Sequence, residues 1–205
     1  MAQCAHIVRC VDSVAAPSSV PPPRDPGARR ALRALLRGGP VARRVAAADL
    51  AAYRALRSLA RPPATDAVRV YSTLGEHAGI WLVGGCALAL VDRPRRRAWF
   101  KATASVGAAY TVNTAIKGVF RRARPAFEDL PALMTTPTAL SFPSAHASSS
   151  FAAARAFSAL APAAAPALYG AAGAMALSRV YLGVHYPTDV VAGAALGSVV
   201  GGLGR

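Results

Sequence analysis

Acidic residues are scarce in this chain. Only 9 of its 205 residues are Asp or Glu, against 24 Lys or Arg, and the formal net charge at pH 7 is +15. Excess positive charge is compatible with nucleic acid, anionic lipid headgroups or a phosphorylated substrate, and charge alone does not choose among them. A hydrophobic content of 54% and a mean hydropathy of +0.32 favour lipid, because ordinary soluble enzymes seldom combine such values with so large a charge.

Cysteine is scarce as well. Cys4, Cys10 and Cys86 are an odd number and lack the spacing of zinc ligands, so the sequence implies neither a disulfide framework nor a metal site. The basic N-terminal region lacks interleaved aromatic residues, so we expect no nucleic-acid partner. It also lacks a long apolar run, since charged residues interrupt residues 7–14. We therefore expect no secretory signal and assign membrane insertion to internal segments.

Proline is concentrated in residues 1–40, which together with Ser and Arg predicts a disordered tail. Residues 41–61 follow with a helical pattern. Five charged residues recur within it: Arg43, Arg44, Asp49, Arg54 and Arg57. A charge at the bilayer centre costs roughly 2.5–3.5 kcal/mol, so this segment is predicted to be an amphipathic helix that lies on the membrane surface.

Five apolar segments follow and are the predicted membrane spans: residues 75–91, 98–117, 145–162, 163–178 and 187–203. Several are short against the ~20 residues that a span needs. Arg155 lies in the third, where it could snorkel or face the bundle interior. Gly193, Gly197 and Gly201 recur every four residues in the fifth, which predicts close packing against a neighbouring helix. We predict an all-α, multi-pass transmembrane bundle over residues 41–205.

Alternation of these spans would bring three polar segments to one membrane face. The first contains Lys117 and Arg124, whose seven-residue spacing places both on one side of a helix that continues through them. The second contains Ser144 and His146 after a proline, a pattern typical of a helix start, where free N–H groups and the positive end of the dipole attract anions. Both segments are therefore suited to binding an oxyanion.

The third polar segment contains Arg179, His185 and Asp189. A carboxylate four residues after an imidazole can hold one ring nitrogen and leave the other as a nucleophile. Cationic side chains, a helix N-terminus and two histidines together make a site that stabilises a transferring phosphoryl group. Phosphoryl transfer is the chemistry that these residue types favour.

The three segments resemble the signature of the type 2 phosphatidic acid phosphatase superfamily, which is K-x-x-x-x-x-x-R-P, then P-S-G-H, then S-R-x-x-x-x-x-H-x-x-x-D. Ala145 stands where the signature has Gly, a small-for-small change that keeps a helix start plausible. The resemblance covers about residues 70–205. It implies a membrane phosphoric monoester hydrolase that uses neither a metal nor another cofactor.

The resemblance also implies a role for each motif residue. His185 would accept the phosphoryl group as a phosphohistidine, and Asp189 would orient it. His146 would protonate the leaving alkoxide and then activate water. The phosphate oxygens would be held by Lys117, Arg124, Ser144 and Arg179.

Further features are similar to those of actinobacterial superfamily members that act as decaprenylphosphoryl-5-phosphoribose phosphatases, in arabinan precursor synthesis for the cell wall. These features are Gly75-Glu76-His77 with Trp81, the Arg-rich residues 92–97, and residues 141–146. The similarity implies a polyprenyl-linked phosphomonoester as the substrate. Ala145, Glu76 and His77 are secondary site candidates, although Glu76 also fits a helix cap and His77 a structural role.

Two further predictions concern a pair of basic residues after the second span and the side of the membrane on which the site lies. Arg121 and Arg122 are predicted to contact anionic lipid headgroups. Basic residues are more numerous on the side of the site than in the 92–97 loop, so the positive-inside rule places the site on the cytoplasmic face of the cell membrane.

Several functions stay open. Hydrolysis of undecaprenyl pyrophosphate, phosphatidylglycerol phosphate or phosphatidic acid is the main alternative, and a catalytically idle scaffold that binds lipid phosphate is the non-enzymatic one. Vanadium-dependent haloperoxidases share the oxyanion-binding constellation, but they are larger and soluble. The sequence leaves the oligomeric state open.

Overall fold

A computed structural model describes residues 39–204, apart from the side chain of Ala42. Regular structure in these residues is helical, with two isolated β-bridges, so the all-α fold class is confirmed there. The α-helices are α1 (Pro40–Arg57), α2 (Pro62–Leu74), α3 (Gly79–Val91), α4 (Arg96–Phe120), α5 (Ala145–Leu160), α6 (Ala165–Tyr181) and α7 (Pro187–Leu203). The predicted disordered tail lies, up to residue 38, outside the described residues.

Helix α1 is amphipathic, as predicted, but it ends at Arg57 rather than near residue 61. It begins at Pro40, whose missing N–H suits the first turn of a helix. Asp49, Tyr53 and Arg57 recur every four residues on one face and are buried. Since two of these three side chains are charged, the buried face of α1 must find polar partners inside the protein.

Residues 75–91, the first predicted span, do not form one continuous helix. A 3₁₀ turn, Glu76–Ala78, separates α2 from α3, and His77 and Ala78 have φ values of 51° and 62°. Left-handed backbone is rare for residues other than glycine and interrupts a right-handed helix. As a result, α2 and the segment Glu76–Val91 meet at an angle of 53°.

Length and composition identify one candidate for crossing a membrane among residues 39–204, and it is this bent pair of helices. No single described helix meets the same requirement. The number of spans therefore stays a prediction.

The apolar core lies between α3, α4 and α5. Trp99 of α4 meets Phe157 of α5 with 5.6 Å between the ring centroids, and the Trp81 indole N–H donates to Ser150 Oγ at 2.8 Å. Large apolar side chains are also exposed on the outer surface, among them Val83, Leu90, Val91, Val119, Val199 and Leu203. An outer surface with these apolar side chains is compatible with a lipid environment.

Helices α5 and α7 lie side by side with their N-termini at the same end. An added Cβ would lie 2.5 Å from the Ser144 carbonyl oxygen at Gly193, and 2.5 Å from that of Ala152 at Gly201. At Gly197 it would overlap the carbonyl oxygen of Ser148. The predicted packing role of the three glycines is confirmed, and it brings the starts of both helices to the site.

Candidate active site

Lys117 and Arg124 do not share a helix, so the predicted continuous helix is wrong. Helix α4 ends at Phe120, and Arg121 caps it with a left-handed φ of 47°. Pro125 disfavours helical backbone at the residue before it, and the Arg124 N–H instead donates to the Ala139 carbonyl at 3.2 Å. The loop after α4 still returns Arg124 to the site by another route.

Lys117, in the last turn of α4, is buried against the loop that precedes α5. Its Nζ donates to the carbonyl oxygens of Pro143 at 2.6 Å, Ser141 at 3.2 Å and Leu140 at 3.4 Å. These charge-assisted hydrogen bonds hold the loop at the end of α4 and keep the ammonium group inside the protein.

Arg124 contacts the imidazole of His185 directly. Its Nη1 lies 2.9 Å from His185 Nε2 and donates to the Val184 carbonyl at 2.7 Å, while its Nε donates to the Thr138 carbonyl at 2.8 Å. Burial lowers the pKa of Arg124 to about 10, so the guanidinium stays charged at neutral pH. Because a guanidinium only donates hydrogen bonds, His185 Nε2 accepts and carries no proton.

His185 lies in the short connection between α6 and α7 and is almost fully buried. Burial, together with the charges of Arg124, Arg179 and Lys117, holds its pKa well below the usual range, so the ring is neutral. Its Nδ1 lies 3.5 Å from Asp189 Oδ2 and has no hydrogen-bond partner among the described residues. A small approach of the two groups would complete this hydrogen bond.

Asp189 lies in the first turn of α7 and is fully buried. Its Oδ2 accepts the Tyr186 N–H at 2.8 Å, a reciprocal cap of the helix start. Its own backbone carbonyl accepts the Ser144 N–H at 2.9 Å, which joins the start of α7 to the start of α5. The cap fixes the carboxylate beside His185.

His146 lies in the first turn of α5. The N-cap residue of this helix is Ser144, whose Oγ accepts a hydrogen bond from the Ala147 N–H at 3.5 Å. His146 Nε2 lies 3.1 Å from the Ser72 carbonyl oxygen. A carbonyl only accepts hydrogen bonds, so Nε2 carries the proton. In the neutral ring Nδ1 is then the basic nitrogen.

Arg179, in the last turn of α6, is only 1% exposed. Its Nη1 donates to Ser72 Oγ and lies 3.2 Å from Met134 Sδ. Its Nε is buried and has no hydrogen-bond partner among the described residues. A buried cationic donor without a partner is costly in a folded protein, which fits a group that binds an anionic ligand.

The secondary candidates lie at the break between α2 and α3 and at the start of α5. Glu76 is half-buried and close enough to interact electrostatically with Arg179. His77 is exposed and lies 2.9 Å from the Tyr110 hydroxyl through Nδ1. Ala145 is the first residue of α5. A Cβ at Gly75 would lie 2.8 Å from a carbon of the His146 ring, so this break packs directly on the site.

Arg122 does not point to lipid, so the prediction for it is wrong. Its Nη1 donates to Asp189 Oδ1 at 2.7 Å, and its Nη2 donates to Asp49 Oδ2 at 2.8 Å. The guanidinium also lies 4.1 Å from the centre of the Tyr186 ring. Sequence reasoning missed Asp49 and Ser72 as well, because neither stands in a motif and both reach the site from helices far away in the chain.

The site thus gathers three cationic side chains, two imidazoles and the N-termini of two helices. Fixed positive groups of this kind suit a phosphate whose charge is spread over three oxygens. Among residues 39–204, no group of His, Cys, Asp and Glu side chains is arranged to hold a metal ion.

Comparisons with known proteins point the same way. The family model described as PAP2 superfamily matches residues 98–204. A Mycolicibacterium smegmatis protein named decaprenylphosphoryl-5-phosphoribose phosphatase is 43% identical over 133 residues, which are 65% of this chain and 73% of that protein. A Mycobacterium tuberculosis protein of the same name is 38% identical over 143 residues, 70% of this chain and 80% of its own.

Two crystal structures share the fold. Aquifex aeolicus LpxE has a TM-score of 0.64 and 24% identity, with 76% of this chain and 93% of the other covered. A transmembrane PAP2-type phosphatidylglycerolphosphate phosphatase from Bacillus subtilis has a TM-score of 0.66 and 22% identity, and the match covers 86% of this chain and 93% of the other. At these identities the likeness concerns the fold alone.

Proposed function

This chain belongs to the PAP2 superfamily and is a membrane lipid phosphatase, and we propose that it hydrolyses a polyprenyl-linked phosphomonoester of the decaprenylphosphoryl-5-phosphoribose type through a phosphohistidine on His185. The observation that carries the mechanism is the state of that residue: a buried, neutral imidazole whose Nε2 is unprotonated and faces Arg124. Burial and three cations create this nucleophilic form at neutral pH.

In the first step, His185 Nε2 attacks phosphorus while the bond from phosphorus to the sugar oxygen breaks. Arg124 exchanges its hydrogen bond to Nε2 for one to a phosphate oxygen, and Arg179 donates through the Nε that has no protein partner. Lys117 exchanges its 3.4 Å hydrogen bond to the Leu140 carbonyl for one to a phosphate oxygen. Ser144 and the N–H groups at the start of α5 complete the set of groups around the phosphate. Positive charge that develops on the His185 ring is balanced by Asp189, whose Oδ2 lies 3.5 Å from Nδ1.

His146 is the general acid of the first step and the general base of the second. When it carries a proton on Nδ1 as well as on Nε2, it gives the Nδ1 proton to the leaving alkoxide, and Ser72 continues to accept from Nε2. In the second step Nδ1 takes a proton from water, the water oxygen attacks the phosphohistidine, and the bond from Nε2 to phosphorus breaks. Inorganic phosphate leaves and the neutral His185 is restored.

An apolar groove supports a long isoprenoid chain in the substrate. It has a volume of about 600 Å³ and opens between α1 and α7, immediately beside Thr188 at the start of α7. Apart from Asp49 and Thr188, the side chains along it are apolar: Val45, Ala48, Ala52, Phe142, Pro187, Val191, Ala192 and Ala195. At the α2–α3 break, Glu76 offers a carboxylate that accepts hydrogen bonds from sugar hydroxyl groups.

We assign the site to the cytoplasmic face of the cell membrane, in the synthesis of a cell-wall arabinan precursor. The basic residues Arg54, Arg57, Arg61 and Arg69 lie at the end of the bundle that carries the site, on α1 and α2 or between them. With Arg43 and Arg44 of α1 they number six, against four in the 92–97 loop at the opposite end, so the positive-inside rule favours the cytoplasm for the end with the site. A phosphoribosyl lipid made inside the cell would meet the site there.

Phosphate release from a substrate panel tests this function. The purified protein in detergent is given polyprenyl phosphoribose phosphate, polyprenyl pyrophosphate, phosphatidylglycerol phosphate and phosphatidic acid. The proposal expects the highest kcat/KM for the phosphoribose lipid, by about tenfold or more, and a loss of about a thousandfold or more in His185→Ala. A preference for another lipid would refute the substrate assignment, and a fully active His185→Ala would refute the mechanism.

A further inference from the structure

We propose that α1 completes the active site: Asp49 positions Asp189 by way of Arg122, and the helix is thereby a working part of the phosphatase. Helix α1 lies outside residues 98–204, which match the family model. The inference rests on the proposed role of His185, because Asp189 matters for catalysis only if it orients that ring.

Hydrogen bonds lead from α1 to Asp189, which lies beside the nucleophile. Asp49 Oδ2 accepts from Arg122 Nη2 at 2.8 Å, and Arg122 Nη1 donates to Asp189 Oδ1 at 2.7 Å. The other oxygen of Asp189 is the one that lies 3.5 Å from His185 Nδ1. Because Arg122 fixes Oδ1 and the Tyr186 N–H binds Oδ2, the plane of the carboxylate is set from both sides.

Asp49 also holds the helix start on which Asp189 lies. Its Oδ1 accepts the Thr188 N–H at 2.8 Å, and its Oδ2 accepts the Thr188 hydroxyl at 2.7 Å. Arg122 donates to the same hydroxyl at 2.7 Å. A residue 139 positions earlier in the chain thus fills the role of a local cap for the first turn of α7.

Burial makes these contacts persistent. The side chains of Asp49 and Asp189 are 3% and 0% exposed, while that of Arg122 is 26% exposed and covered on one side by the Tyr186 ring. Ion pairs on the surface contribute little and rearrange easily. In a buried pair, by contrast, the loss of one partner leaves the other uncompensated.

The negative charge of Asp49 affects how much net charge lies beside His185. Two carboxylates share one guanidinium, so with both ionised the cluster carries a formal charge of −1 beside His185. The cations Lys117, Arg124 and Arg179 also act on that ring, and Arg124 contacts it at Nε2, the nitrogen that does not face Asp189. Without the Asp49 charge, Arg122 would neutralise Asp189 alone. The positive charge that forms on His185 during phosphoryl transfer would then be less well stabilised.

Asp49→Asn tests the inference, because asparagine keeps the shape and can still accept the Thr188 N–H. We expect kcat for phosphate release to fall about tenfold, the usual scale for a residue that orients a site residue. KM should stay nearly unchanged, because asparagine keeps the shape of the groove wall that α1 contributes and α1 supplies no group to the phosphate. The charge-retaining variant Asp49→Glu is expected to recover most of kcat. The matched control is Asp66→Asn, which removes an exposed ion pair to Arg69 on α2 and should behave as wild type.

A double-mutant cycle separates positioning from general damage to the fold. If Asp49 acts through Asp189, then Asp49→Asn should cause little further loss in an Asp189→Asn background. Losses that multiply would overturn the inference. So would a wild-type kcat in Asp49→Asn, or equal losses in the Asn and Glu variants.

His185→Ala distinguishes failure of this inference from failure of the proposed function. Activity in His185→Ala removes the mechanism and, with it, the premise for Asp49. An inactive His185→Ala beside a fully active Asp49→Asn leaves the mechanism standing and rejects only the role of α1.

Discussion

Burial determines the chemistry of the individual residues. His185 is enclosed among cations that a solvent-exposed histidine would not meet, and the result is a neutral ring with Nε2 free of a proton. His146 carries its proton on Nε2 because the Ser72 carbonyl can only accept. The two histidines therefore differ in tautomer, which matches the different tasks of nucleophile and proton carrier.

Acid should destabilise the protein through His185. Below about pH 6.5 the unfolded residue takes up a proton, whereas its lowered pKa keeps the folded residue neutral. Its stabilising contribution is therefore complete above about pH 6.5 and is lost as the pH falls, by at most about 1.4 kcal/mol per pH unit. Thermal unfolding in detergent at pH 7.5 and pH 5.5 measures this. The drop should be smaller in His185→Gln than in wild type, and equal drops would contradict the assignment.

The types and spacing of residues in the sequence identified much of the candidate site, but they did not predict which side chains contact one another. The motif residues could be chosen from the sequence because imidazole, guanidinium and carboxylate groups at fixed spacings favour phosphate chemistry. Arg122 could not be chosen in this way. Its partner Asp49 lies on α1, and the direction of the Arg122 side chain depends on how the loop after α4 turns back. Ser72 contacts His146 through its backbone carbonyl and Arg179 through its hydroxyl, and sequence patterns say little about such contacts.

Among the elements, the pair α5 and α7 contributes most to the site. The two helices start side by side, and both His146 and Asp189 lie in their first turns. The glycine spacing predicted this close approach correctly. The unbroken helix through Lys117 and Arg124 was wrong, because Arg121 adopts left-handed backbone. Within residues 75–91 the α-helix begins only at Gly79, because His77 and Ala78 adopt left-handed backbone as well. Apolar periodicity does not reveal such breaks.

Gly197→Ala should destabilise the packing of α5 against α7. A Cβ there overlaps the carbonyl oxygen of Ser148, and forced overpacking costs about 1–3 kcal/mol. The matched control is Gly202→Ala on the same helix, where a Cβ meets nothing within 4 Å and alanine favours the helix by about 1 kcal/mol. Thermal unfolding in detergent should show a lower Tm for the first variant only. A wild-type Tm in Gly197→Ala would contradict the close approach.

At the scale of the whole molecule, the site and the Arg-rich loop lie at opposite ends of the bundle. Helix α5 starts at the site and ends at Leu160, whose carbonyl accepts from Arg95 at 2.6 Å. Its 16 residues correspond to about 24 Å, close to the ~30 Å of a hydrocarbon core. Helix α7 runs parallel to α5, so its C-terminal end lies on the side away from the site.

The proposed cytoplasmic site predicts an extracytoplasmic C-terminal end for α7. A reporter enzyme that is active only outside the cytoplasm, fused after the last residue, should give a signal, and one that is active only inside should give none. The reverse pattern with well-inserted protein would move the site to the outer face and disfavour a substrate made in the cytoplasm.

The central claim is that His185 carries the phosphoryl group, and single-turnover trapping tests it most directly. The protein is mixed with a ³²P-labelled polyprenyl phosphoribose phosphate, quenched in base within milliseconds and analysed by mass spectrometry. We expect an acid-labile, base-stable phosphate on the peptide that contains His185, formed at least as fast as turnover and absent from His185→Ala. Phosphate on another residue, or normal turnover in that variant, would contradict the account.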